Sequence, residues 1–264
     1  MRRSISLAER KPGWLSSRAA RIAAALFWLA VWQLGAAAVG QEILLVSPVS
    51  VLKKWLELAQ TADFWHRVAF SSVRILTGLG CGMVLGAVLG GISSRCAAVR
   101  ELLRPLVSVI RAIPVASFVI LALIWFGENT LSAFIAFLIC FPVFYSNAMM
   151  GLASVDRQLT EMAYVFRFSP MRFFRYVQWP SLYPYLRAAV DVSVGLAWKS
   201  GIAAEVIAIP RGSIGDKMYG AKIYLETADL LAWTLTVVLL SLIFEKALRL
   251  ILSALGRKFG EGAR

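Results

Sequence analysis

Long apolar runs alternate with short segments in which the charges collect. The runs cover roughly residues 19–40, 68–92, 106–126, 131–153, 185–209 and 230–252. Each is near the length of about 20 residues that a helix needs to cross the hydrocarbon core. The pattern predicts an all-α integral membrane protein with six transmembrane helices. Between the first two runs, Ser47-Pro48 has the form of an N-cap followed by a proline at the first helical position. Val51, Leu52, Trp55, Leu56 and Leu58 then form an apolar face, with Lys53, Lys54 and Glu57 opposite. This predicts an amphipathic helix at the outer interface. Residues 210–220 are turn-rich, and 221–229 predict a short helix before the last run.

Composition agrees with a membrane protein. Of 264 residues, 59% are hydrophobic and 16% charged, against about 25% charged in a soluble domain. The formal net charge of +13 would suggest nucleic acid in a soluble chain. Here the basic residues sit at the ends of apolar runs, with no basic stripe interleaved with aromatics, so no nucleic acid is expected. They suggest orientation and contact with anionic lipid headgroups instead. With a cytoplasmic N-terminus, fifteen basic residues face the cytoplasm and six (Lys53, Lys54, Arg67, Arg211, Lys217 and Lys222) face outward. Both termini are therefore expected on the cytoplasmic side, with a basic N-terminal tail over 1–18, a transmembrane domain over 19–253 and a C-terminal tail over 254–264. The Met-Arg-Arg start precedes an apolar run that begins only near Ala19 and has no clear cleavage site, so a basic cytoplasmic tail is expected there in place of a twin-arginine export signal. Cys81, Cys96 and Cys140 are far apart and there is one histidine, so no metal site is expected.

Within the runs, Gly78, Gly82, Gly86 and Gly90 recur every fourth residue. Each glycine costs about 1 kcal/mol relative to alanine in a helix interior, so the row implies close approach by another helix. Arg111 and Pro114 open the third run, and a proline there bends or breaks the helix. Membranes tolerate such breaks inside protein or beside a water-filled cavity. Asp191, Lys199 and Glu205 lie in the fifth run, where charges are costly. Either they pair with neighbouring helices, or they line a translocation pathway with Trp198, Lys199 attracting an anionic group and Glu205 acting near the outer end. No P-loop, H-E-x-x-H or G-x-S-x-G motif is present, so the chain is expected to be a transporter component and not an enzyme.

The longest polar interruption, residues 154–184, carries six charged residues, Asp156, Arg157, Glu161, Arg167, Arg172 and Arg175, beside many large apolar side chains: Met162, Phe166, Phe168, Met171, Phe173, Phe174 and Tyr176. Residues 156–166 have helical spacing. Ser169-Pro170 is an N-cap and proline start for a second short helix over 171–177, and Trp179-Pro180 is expected to end it. Two short helices with projecting aromatics suit docking into a partner's groove.

These residues resemble the EAA loop of bacterial ABC-importer permeases, whose pattern is E-A-A, three residues, G, nine residues, I-x-L-P. Glu161, Met162 and Ala163 match the E-A-A positions, Arg167 the glycine, Val177 the isoleucine and Trp179-Pro180 the L-P. Three positions depart: Met162, Arg167 and Trp179. Residues 111–114, 123–127 and 197–205 extend the resemblance to permeases of nitrate, sulfonate and taurine import. The resemblance implies a type I ABC-importer permease fold with a cytoplasmic coupling helix between helices 4 and 5. Glu161, Met162, Ala163, Arg167, Phe168, Ser169, Pro170, Met171, Phe173 and Phe174 would meet a cytoplasmic ATPase. It also implies an ATPase dimer holding ATP and Mg, a second permease copy, and an extracytoplasmic solute-binding protein that delivers a small, anionic solute. This chain itself would hold no cofactor. An ion-coupled secondary transporter is the rival class, and a pyrimidine or aromatic compound the rival substrate.

Overall fold

The structure, a computed structural model, describes residues 18–259. The expected tails over 1–18 and 254–264 lie outside it, except Arg18 and residues 254–259, which are helical. Every regular element among the described residues is helical. A mostly apolar stretch, interrupted by Arg21 and Gln33, forms α1 (Arg18–Val39). Gly40, at φ 64°, follows its end. In α2 (Pro48–Ala59) the Ser47 hydroxyl accepts from the Ser50 amide at 3.1 Å, and Pro48 sits in the first turn, where its missing N–H is no loss. The Thr61 hydroxyl accepts from the Phe64 amide at 3.3 Å, so α3 (Ala62–Arg95) starts before the expected residue 68.

The third expected span is corrected. Residues 106–112 belong to an amphipathic helix, α4 (Ala97–Ala112). Ile113 then leaves the helix at φ −68°, ψ 126°, as the residue before a proline tends to. Pro114 precedes α5 (Val115–Ala153), which bends at Gly127 (φ 66°, ψ 172°) and so joins the rest of the third run to the fourth. The short helices α6 (Arg157–Val165) and α7 (Pro170–Phe173) follow.

Trp179-Pro180 does not end the second short helix. A π-helical turn over Phe174–Gln178 leads straight into α8 (Trp179–Ala208). A helical proline lacks an N–H and crowds the carbonyl four residues back. The wide turn before Pro180 accommodates both effects. The short helix expected over 221–229 lies earlier: α9 (Ile214–Ile223) occupies most of the supposed turn. Its Ser213 hydroxyl accepts from the Asp216 amide at 2.9 Å, a capping arrangement legible in Ser213-Ile-Gly-Asp216. The last helix is α10 (Thr227–Phe259).

Residues 22–39 of α1, together with α3 and α5, are long and apolar enough to cross a membrane. The central helix is α5, which packs most extensively on α3 and α8. The glycine row of α3 meets α5. A methyl carbon on Gly78 would lie 2.0 Å from the Ala133 carbonyl oxygen, on Gly86 2.6 Å from that of Phe141, and on Gly90 2.4 Å from that of Tyr145. On Gly82 it would lie 3.0 Å from the Phe137 carbonyl oxygen. The close partner is thus in the same chain. Aromatic stacking completes the core, with Phe64 on Trp233 at 5.0 Å and Trp198 on Phe244 at 5.6 Å between centroids. By contrast α1 packs chiefly on α2, and only 6% of its 22–39 stretch is buried. The α2 helix is tied to α10 by the Trp55 Nε1 donation to Thr236 at 3.1 Å and the Lys54–Asp229 ion pair at 3.2 Å. Hydrogen bonding and charge from Asp229 raise the Lys54 pKa above the ordinary lysine value.

Candidate coupling surface and pathway residues

The chain leaves α5 through Ser154, and Asp156 caps α6 by accepting from the Gln158 amide at 2.7 Å. Glu161 is exposed and accepts from Arg157 Nε at 2.8 Å across one helical turn. Ala163 is buried at 3% exposure, so a small side chain is required where α6 turns inward. The helix ends at Phe166, and Arg167 takes the left-handed conformation at φ 50°. The Phe168 amide donates to the Ala163 carbonyl at 2.9 Å and the Arg167 amide to the Tyr164 carbonyl at 3.1 Å. These are the paired bonds of a Schellman cap, with arginine in the place that glycine usually takes. Ser169 then caps α7, its hydroxyl accepting from the Arg172 amide at 3.5 Å, and Pro170 opens the helix.

This geometry splits the apolar side chains into two sets. Phe168, Phe173 and Phe174 are half-buried, and with Ala163 and Thr160 they line a cavity of about 550 Å³ reaching Arg95 at the end of α3. Met162, Tyr164, Val165, Phe166, Met171 and Tyr176 are exposed. An apolar patch of this kind on a connecting segment marks a contact surface. The segment is braced from behind by Arg95, which donates to Gln178 Oε1 at 2.7 Å. Neither brace residue stands out in the sequence, because the two are far apart along it.

The pathway candidates are dispersed. Arg111, at the end of α4, is exposed and donates to the Pro142 carbonyl at 2.9 Å and to the Ser146 hydroxyl. Pro114 is exposed beside the break. Asp191 accepts from Arg249 Nε at 2.5 Å. Arg249 also pairs with Glu245, so its two carboxylate partners come from different helices. Sequence spacing could suggest only the Glu245 contact. Trp198 is 1% exposed and turns into the core, away from any open surface. Lys199, next to it, is exposed and has no hydrogen-bonding or ion-pair partner among the described residues. It lies on an open stripe of α8 with Ala188, Val192, Gly195 and Ala203, spaced at three or four residues as one helix face requires.

Glu205 is 1% exposed. Its Oε2 accepts from the Ser71 hydroxyl at 2.7 Å and from the Gly215 amide at 3.3 Å, and the Ser71 hydroxyl accepts from the Ile214 amide at 2.9 Å. The carboxylate thus joins α8 to α3 and to the first turn of α9, where free amides and the helix dipole favour negative charge. Gly215 makes this possible: a methyl there would lie 2.3 Å from Glu205 Cβ. Arg74 is held nearby by donation to the Glu128 carbonyl at 2.7 Å and lies over the Phe70 ring at 4.8 Å.

Residues 82–260 match the family described as binding-protein-dependent transport system inner membrane component. The chain is similar to the protein of Escherichia coli named as the aliphatic sulfonates transport permease SsuC, with 31% identity over 75% of this chain and 76% of that one. It is similar to the E. coli taurine transport system permease protein TauC, with 26% identity over 87% of this chain and 86% of that one. The nitrate import permease protein NrtB of Synechococcus elongatus is 25% identical over 74% of this chain and 73% of its own. The matched region holds the glycine row from Gly82 onward, the exposed aromatic segment and all of α8, and the chain belongs to the binding-protein-dependent transport system inner membrane components, as an ABC-importer permease of the nitrate, sulfonate and taurine type.

Proposed function

We propose that this permease crosses the bacterial cytoplasmic membrane six times with both termini inside, and that α7 and the following π turn are its coupling helix. In this reading a cytoplasmic ATPase dimer holds the ATP and Mg, and each ATPase subunit takes one coupling segment into a groove. Glu161, Met162, Arg167 and Met171 face that partner, while Ala163, Phe168, Ser169, Pro170, Phe173 and Phe174 hold the segment's shape. The observation that carries the reading is the unpartnered apolar patch on α6 and α7, braced by Arg95 and Gln178. An ion-coupled carrier has no use for such a surface.

A second copy of the chain completes the pathway, and a solute-binding protein delivers the solute from outside. Among the pathway candidates, Lys199 is the one suited to meet a small anion, because Asp191 is paired, Trp198 is in the core and Glu205 anchors α9. Arg111 and Pro114 stand at the opposite end of the same route. The relatives named for sulfonates, taurine and nitrate suggest a small sulfonate or nitrate-like anion. Lys199→Ala tests this assignment in proteoliposomes with the ATPase and binding protein. Uptake should fall about tenfold, the cost of one charge-assisted hydrogen bond, with the ATPase still bound. Undiminished uptake would remove Lys199 from the pathway.

A further inference from the structure

A cavity of about 450 Å³ separates α4 from the second half of α5. At 3.6 residues per turn, Arg100, Arg104 and Arg111 fall within about 40° of one another on α4, and all three line this cavity. Ser108, Tyr145 and Ser146 supply hydroxyls on its wall. The arginines are poorly compensated. Glu101 reaches Arg100 at 3.9 Å and Arg104 at 3.6 Å, with every one of these side chains well exposed. Arg111 has no carboxylate partner among the described residues. A carbonyl and a serine hydroxyl hold its guanidinium, which fixes its direction without neutralising it. The Tyr145 ring is 4% exposed, and neither its hydroxyl nor that of Ser108 has a hydrogen-bond partner among the described residues.

Three cations, of which Arg111 is fixed in direction, one shared carboxylate and two free hydroxyls around a cavity make a receptor for a multiply bonded anion. Guanidinium groups match the paired oxygens of phosphate and sulfonate in particular. We propose that the α4–α5 cavity is a binding site for a tetrahedral oxyanion of the phosphate or sulfonate kind, with Arg100, Arg104 and Arg111 as its cationic wall and Ser108 and Tyr145 as hydroxyl donors. The oxyanion has two sources, an anionic phospholipid headgroup or a free ion in the cytoplasm. The opposite face of α4 carries the exposed Leu102, Leu106 and Val109. Leu103, Val107 and Ile110 pack α4 along α5, so the cavity runs beside a helix pair with an apolar outer face. The site shares Arg111 with the proposed route, but anion retention by the isolated permease is read without transport, so its failure is distinguishable from failure of the function proposed above.

The test uses the full-length permease, purified in detergent and stripped of lipid. Phosphatidylglycerol, with phosphatidylcholine as the neutral control, is titrated in and its retention followed by native mass spectrometry. Wild type should prefer phosphatidylglycerol, and both R111Q and the exposed pair R100Q/R104Q should weaken its binding about tenfold or more, as loss of charge-assisted hydrogen bonds does. R157Q/R172Q removes two cations elsewhere on the same side and should leave binding unchanged. Binding that withstands millimolar inorganic phosphate identifies the headgroup as occupant, and binding that phosphate displaces identifies a free oxyanion. The proposal is overturned if phosphatidylglycerol and inorganic phosphate bind the cavity variants as they bind wild type. Equal weakening in R157Q/R172Q would overturn it too, since diffuse charge and not the cavity would then be responsible.

Discussion

Arg167 is the residue at which backbone strain coincides with a proposed partner contact. The left-handed conformation costs a non-glycine residue about 1–2 kcal/mol, yet the Schellman bonds from Phe168 and Arg167 fix it there. Replacing it with glycine removes that cost while loosening the unfolded chain. Arg167→Gly should therefore raise permease stability by up to about 1 kcal/mol, or about 2–4 °C in thermal midpoint for a chain of this size. If the arginine also contacts the ATPase, the same variant should bind it more weakly despite being more stable. A midpoint below that of wild type would contradict the strain argument.

Among elements, the α3–α5 pair rests on glycine. Any side chain at Gly78 would press its first carbon onto a carbonyl of α5, whereas at Gly80, on the same helix, an added methyl meets nothing within 4 Å. Gly78→Ala should thus lower the thermal midpoint, at the cost of about 1–3 kcal/mol typical of overpacking. Gly80→Ala should raise it slightly, because alanine favours the helix by about 1 kcal/mol. Equal effects would mean that helix propensity, not close approach, governs both sites. This row was legible in the sequence because its period is that of the helix. So were α2, through Ser47-Pro48, and the paired short helices, through Asp156 and Ser169-Pro170. The run from the π turn into α8 was not legible, since Pro180 reads locally as a stop and only the widened turn lets the chain continue. Nor could spacing reveal that Asp191 meets Arg249 or that Glu205 holds the start of α9, because tertiary packing brings those groups together across long stretches of sequence.

At the scale of the whole molecule, the described chain has a core of three long helices, α3, α5 and α8, and two of its open faces carry the proposed function. One is the stripe of α8 around Lys199, suited to a solute. The other is the patch on α6 and α7, suited to a motor. The buried anchor at Glu205 and the brace between Arg95 and Gln178 lie at the two ends of this core. The π turn runs into α8 without a break, so in the proposed coupling a push on α7 would reach α8 directly. The most direct test of this coupling is ATP-driven uptake by the assembled importer carrying Tyr164→Asp and Met171→Asp. Both side chains are exposed, so the permease should keep its thermal midpoint. Uptake and ATPase retention should be lost together, whereas uptake at the wild-type rate with the ATPase retained would contradict the account.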